Sequence, residues 1–185
     1  MVAGADTALD LLDSATCVDV TELEPRQWEI VRDMRIAALD DAPGAFVSTA
    51  ETEEDQLTEY WQDQFDWATW VIARDHEQVV GIAALALPDG ESPPDSRYVE
   101  SVWVAPTHRR HGVLRQMLEH LERLAKSAGA TELRLWVLDT NGSAGRAYER
   151  LDFRPIPGSE ADTKKLRGDG TSFVQESLMT KELLL

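Results

Sequence analysis

Residues 98–118, Tyr-Val-Glu-Ser-Val-Trp-Val-Ala-Pro-Thr-His-Arg-Arg-His-Gly-Val-Leu-Arg-Gln-Met-Leu, constrain the fold more than any other stretch of the chain. A strand pattern over about 97–104 runs into a basic turn and then into a helix, in which Leu114, Met117, Leu118, Leu121 and Ala125 fall at i, i+3, i+4, i+7 and i+11. Glu119 with Arg123, and Glu122 with Lys126, stand at i,i+4 on the polar face. Gly129 stops the helix, and 131–138 alternates as a strand, so a right-handed crossover brings it back parallel to the first. Backbone N–H groups in such a turn converge with the positive end of the following helix, which makes the turn a place to hold phosphate. Gly112 lets the backbone come close to that ligand.

The flanking segments fill out the sheet. Apolar, β-branched runs at 69–74 and 79–87 are joined by Asp75-His-Glu-Gln, and with 97–104 they form an antiparallel set. Upstream, 16–23 reads as a first strand. Pro25 then opens a helix to about residue 39, carrying Trp28, Val31, Met34, Arg35 and Leu39. Asp41-Ala-Pro-Gly ends it, and a second helix is predicted over 53–65. Downstream, Asn141 caps a shorter helix with Ala144, Ala147, Tyr148 and Leu151 on one face. Residues 155–170 read as a turn-rich loop and 172–185 as a closing strand. The expected architecture is α/β: a mixed central sheet of about six to seven strands, mostly antiparallel with one parallel pair, and about four flanking helices. Residues 1–14 read as a flexible leader and 15–185 as one domain.

Composition narrows the function classes. The 185 residues, 43% apolar with six Trp, suffice for one core, to which Trp28, Trp61, Trp67 and Trp70 belong as core or pocket-wall residues. No run approaches ~18 apolar residues and no basic leader precedes an apolar segment, so a soluble cytoplasmic protein without membrane contact is expected. Cys17, the single cysteine, reads as a small buried residue. The net charge of −16 is unevenly spread: residues 1–66 hold 17 acidic side chains against 3 Arg, while the remainder is almost balanced. Such a field disfavours nucleic acid and attracts cations, or simply keeps a surface solvated. His108 and His111 lack an acidic or Cys partner at metal-ligand spacing, so no metal is expected, and no P-loop motif is present.

The order of strand, Val104-Ala-Pro106, Arg109-x-x-Gly112 and amphipathic helix resembles the GNAT superfamily of acyl-CoA N-acyltransferases. A second segment, Asn141-x-x-Ala144-x-x-x-Tyr148 followed by Phe153, resembles that superfamily's downstream signature, and the element order matches from about residue 16 onward. The resemblance implies the GNAT fold, with its parallel pair around a coenzyme A cleft and acetyl-CoA as acyl donor. It implies that Arg109, Arg110, His111, Gly112, Val113, Leu114 and Arg115 cradle the pyrophosphate. Val102, Trp103 and Val104 would offer backbone groups to the pantetheine arm, with Asn141 and Ala144 beside it. Two positions depart from the pattern. Leu114 stands where a second small residue is usual and would narrow the approach to the pyrophosphate, and Asp152 stands where glycine is common, in a left-handed turn that Asp tolerates.

The implied reaction is attack of an amine on the thioester. An alkylammonium, with a pKa near ~10, must first lose a proton. Glu100 is the candidate base: strand alternation places it with Val102 and Val104 on one face, while a surface-paired glutamate is the alternative. Tyr148 is the candidate acid, its phenol facing the leaving sulfur, with a core tyrosine beside Leu151 as the alternative. The Val104 N–H would meet the oxyanion.

The resemblance also makes the first two helices and their linker, the most acidic part of the chain, the acceptor wall. The segment Asp40-Asp-Ala-Pro-Gly-Ala-Phe-Val-Ser-Thr49 looks like one that recurs in such enzymes. Asp40, Asp41, Phe46, Glu51 and Glu53 therefore stand as candidate acceptor contacts, the acids either binding a cation or being merely solvated. The sequence reading is an acetyl-CoA-dependent N-acetyltransferase of a cationic primary amine or peptide, with a homodimer left open. A catalytically weak acyl-CoA-binding module is the alternative.

Overall fold

The computed structural model describes residues 17–159, 165–166 and 173–184; the sequence readings for 1–14 and for most of 160–172 lie outside the described residues. The strands are β1 (Asp19–Glu22), β2 (Ala68–Asp75), β3 (Gln78–Ala86), β4 (Ser96–Val104), β5 (Glu132–Leu138), β6 (Arg154–Pro155), β7 (Lys165–Leu166), β8 (Phe173–Val174) and β9 (Glu176–Glu182). The helices are α1 (Trp28–Asp41), α2 (Ala50–Glu54), α3 (Thr58–Trp67), α4 (Val113–Ser127) and α5 (Gly142–Glu149). Seven strands form one sheet in the order β1-β2-β3-β4-β5-β9-β6, and β7 pairs with β8 apart from it. Every neighbour in the main sheet is antiparallel except β4 and β5, the pair joined by the α4 crossover.

Two apolar layers sandwich the sheet. On one side Leu118 and Leu121 of α4 pack with Val71, Ala83, Leu133 and Phe153. On the other, Val31 of α1 and Trp61 of α3 pack with Trp70, Ile72, Ile82 and Tyr98. Each such side chain contributes about 1.5–3 kcal/mol through lost water contact, which makes β2 and β3, covered on both faces, the most deeply held strands.

The structure corrects several readings. The helix expected over 53–65 is two helices, which brings the α-helices among the described residues to five. Thr49 caps α2 through the Thr52 N–H, and the buried Glu53 turns inward to Arg35 of α1; the chain then kinks at the extended Leu57 before α3 begins. Cys17 is exposed. Glu122 pairs with Lys181 of β9, not Lys126, and Arg123 donates to the Glu119 backbone carbonyl. Asp152 does adopt the left-handed conformation, with φ +71°.

The largest correction lies in β4. Ser101 has φ +55°, and the β3–β4 register slips between Ile82 and Ala84, so one extra residue is inserted as a bulge. Glu100 pairs with Ala84 and Trp103 with Ile82, both on the α1–α3 side. Val102 and Val104 turn to the α4 side. Glu100 thus shares a face with Trp103, not with the two valines, because the bulge resets the alternation on which the sequence argument relied.

Candidate active site

The parallel pairing of β4 and β5 ends at Tyr98↔Arg134, although β4 continues to Val104 and β5 to Leu138. Beyond that point the two strands part. The Ala105 N–H donates to the Val80 carbonyl at 2.8 Å, so by antiparallel alternation the N–H and C=O of Val104 face away from β3, toward the opening. A cleft of about 660 Å³ occupies this gap. Its walls are the Val102–Val104 strand end, the basic turn, α5, and Ala42, Ala45 and Phe46 from the segment after α1.

The turn is built for an anion. Arg110 has φ +64° and Gly112 φ +81°, and Gly112 stands at the N-cap of α4, where it supplies no capping side chain. The first-turn N–H groups of a 15-residue helix are left for a ligand. Arg109, Arg110, Arg115, Arg146 and Arg150 all line the cleft, and no Asp or Glu is among its lining residues. In a chain of net charge −16, the cationic side chains are gathered where a polyphosphate would lie.

The predicted residues divide clearly. Val102, Trp103, Val104, Arg109, Arg110, Gly112, Val113, Leu114, Arg115, Asn141, Ala144, Tyr148 and Phe46 line the cleft; His111, Glu100, Asp40, Asp41 and Glu51 do not. His108 lines it in place of His111, held by Asp75 Oδ2 at 3.1 Å and Thr107 Oγ1 at 2.9 Å. Leu114 is half-buried and packs against the α4-side core, so the cleft stays open beside it. Asn141 caps α5 by accepting from the Ala144 N–H at 3.2 Å, which aims the helix and with it Tyr148. The sequence reading missed Arg146 and Arg150, although their i,i+4 spacing, each three residues after the cleft-lining Ser143 and Ala147, carried the signal.

Tyr148 is buried, and its ring meets Phe153 edge-on at 5.8 Å. Burial pushes its phenol well above the ordinary value, so it is neutral at any physiological pH. Glu53, a candidate for cation binding, is instead committed to Arg35 in a bidentate pair at 2.5 and 3.2 Å, with side chains 6% and 11% exposed. The Arg35 guanidinium also lies 5.1 Å from the Phe46 ring, so this pair backs the cleft wall. Asp41 accepts from Trp103 Nε1 at 2.9 Å and from Arg109, whose Nε donates to the Val104 carbonyl at 2.9 Å. Asp40 and Glu51 are exposed.

A mixed sheet that splays at one parallel pair, with an uncapped helix N-terminus and an arginine-lined cleft at the splay, defines the acyl-CoA transferase class of α/β folds. The family model of the GNAT acetyltransferases matches residues 23–153, and the chain belongs to that family, in which acetyl transfer from acetyl-CoA is general. No curated protein sequence matches it. Among solved structures, a probable acetyltransferase from Staphylococcus epidermidis superposes with a TM-score of 0.71 at 12% identity, over 91% of this chain and all of that one. A putative acetyltransferase from Salmonella typhimurium, solved with its cofactor acetyl-CoA, gives 0.69 at 15% identity over 91% and 95% of the two chains. A nourseothricin acetyltransferase is 26% identical with a TM-score of 0.54, over 63% of this chain and 66% of its own. Among the described residues no helix is long and apolar enough to cross a membrane.

Proposed function

We propose that this protein is an N-acetyltransferase that moves the acetyl group of acetyl-CoA to a primary amine, by direct attack while both substrates are bound. The observation that carries the reading is the cleft itself: five arginines and an uncapped helix N-terminus at one end, and the buried Tyr148 with the outward-facing Val104 N–H at the other. The Salmonella structure with acetyl-CoA adds support for the donor.

The bulge in β4 gives the reaction two sides. Tyr148 stands on the α4–α5 side and Glu100 on the α1–α3 side. An amine entering past Phe46 and Trp103 meets the thioester carbon from the Glu100 side, and the sulfur departs toward Tyr148. Glu100, directly or through water, takes the proton of the incoming ammonium. The C–N bond forms, the Val104 N–H holds the oxyanion, and as the C–S bond breaks the second proton lost by the nitrogen passes through solvent to the departing thiolate. The phenol then serves chiefly as a hydrogen-bond donor to the thiolate. Burial has moved it above ~10, and a thiol lies near ~8.5, so outright proton transfer runs uphill. The acidity of residues 1–66 supports a cationic acceptor, drawn by the field outside the cleft rather than by Asp41 or Glu53, which already have partners.

Titration calorimetry with acetyl-CoA, together with thiol release over a panel of polyamines, amino acids and basic peptides, tests the proposal. Saturable binding with amine-dependent release, suppressed in Tyr148→Phe, is the expected result. Binding without release from any amine would replace the enzyme with an acyl-CoA-binding module.

A further inference from the structure

Arg109 occupies the place where the turn resembles a phosphate cradle, yet its guanidinium is spent elsewhere. Its Nε holds the Val104 carbonyl, and its terminal nitrogen holds Asp41 at the end of α1. The same Asp41 oxygen accepts the Trp103 indole N–H. These three contacts join the acceptor-side helix to the strand end and turn of the donor cleft across 62 and 68 residues of sequence. Immediately after Asp41 come Ala42, Ala45 and Phe46, which form one wall of the cleft. The Asp41 side chain is 24% exposed and that of Arg109 46%, so the ion pair alone is of modest strength. Its geometry matters more, because one carboxylate oxygen fixes two donors from two different elements.

We propose that Asp41 is a positioning residue, a latch that holds the 42–46 wall against the donor cleft. Arg109 is its brace rather than a phosphate ligand, and the pyrophosphate is carried by the remaining cleft arginines and the α4 N-terminus. A ligand in the cleft touches the wall and the turn together, so it binds the latched arrangement better, and by linkage it tightens the latch. Coenzyme A therefore rigidifies the acceptor wall, and a disordered wall weakens acetyl transfer before it weakens donor binding. This inference rests on coenzyme A being the ligand of the cleft.

Hydrogen exchange of the full chain, with and without coenzyme A, reads the latch, and calorimetry with coenzyme A reads the donor site. In the wild type, coenzyme A is expected to slow exchange over residues 42–49 about tenfold. Asp41→Asn and Arg109→Gln each raise exchange there to the same level and abolish the coenzyme A effect, and the double variant adds nothing further. Trp103→Phe, which keeps an aromatic ring at the position and removes the indole donor, gives a partial version of the same change. Coenzyme A affinity falls less than about threefold in Arg109→Gln but about tenfold or more in Arg115→Gln. The proposal is overturned if Asp41→Asn leaves exchange over 42–49 unchanged, or if Arg109→Gln loses coenzyme A as fully as Arg115→Gln does. If the wild type fails to bind coenzyme A, the functional reading falls, while the exchange of Asp41→Asn without ligand still decides whether the latch exists.

Discussion

At the scale of single residues, Tyr148 carries the sharpest expectation. Its phenol is held neutral by burial, so removing the hydroxyl deletes a donor that does not titrate in the working range. Tyr148→Phe should lower kcat about 10²-fold, within the span usual for positioned acid–base groups, with little change in donor KM. Thiol release measured from pH 6 to 9 should show that deficit constant. A deficit that grew toward low pH would assign Tyr148 a titrating role. Stability follows the same shift. The folded value lies above the unfolded one near ~10, so the neutral phenol's contribution is whole below pH 10 and is lost as pH rises beyond it. Wild-type melting temperature should therefore fall more steeply above pH 10 than that of Tyr148→Phe. Glu100→Gln should cost kcat mainly at lower pH, where unprotonated amine is scarce and a base matters most. The residue scale is also where sequence reading was weakest. Tyr148 and Asn141 were legible because a cap and a helical face fix their direction. The direction of Glu100 was not, because a bulge at Ser101 carries no Gly or Pro to announce it.

Among the elements, the turn and the two short acceptor helices invite opposite tests. Gly112 at φ +81° heads α4, and Gly112→Ala sets a Cβ in the left-handed region at the mouth of the anion site. It should cost about 1–2 kcal/mol in urea unfolding and weaken coenzyme A binding as well. The Arg35–Glu53 pair, by contrast, is buried between α1 and α2. Glu53→Gln leaves a guanidinium unpaired in a dry site, and about 3–5 kcal/mol of stability should be lost. Arg35→Met combined with Glu53→Gln should recover part of it, which a double-mutant cycle in urea would measure. The element order of the strand–turn–helix–strand run over 96–138 was readable, the Ser101 bulge apart, since a period of 2 gives way to one of 3.6 and back, with Gly112 and Gly129 as punctuation. The break between α2 and α3 was not readable. It depends on Glu53 turning toward Arg35, 18 residues away, and no local pattern encodes that partner.

The whole molecule sets an anionic body against a cationic cleft. Coenzyme A, itself strongly anionic, meets two opposing fields: long-range repulsion from a net charge of −16, and short-range attraction from the cleft arginines other than Arg109, which Asp41 already pairs. At 0.15 M salt the screening length is about 8 Å, so distant acidic groups are largely silenced while contacts inside the cleft persist. Raising salt from a low value should therefore speed coenzyme A association at first, by removing repulsion, and speed its dissociation throughout, by weakening the arginine contacts. A cationic acceptor feels only attraction from the body, so its KM should rise steadily with salt, and a neutral amine should show almost no dependence. Stopped-flow binding of coenzyme A and steady-state kinetics with a charged and a neutral acceptor separate these terms. An association rate for coenzyme A that falls monotonically with salt would mean that the cleft's field, not the body's, reaches the encounter distance. An acceptor KM indifferent to salt would remove the cationic acceptor from the proposed function while leaving the donor cleft as it stands.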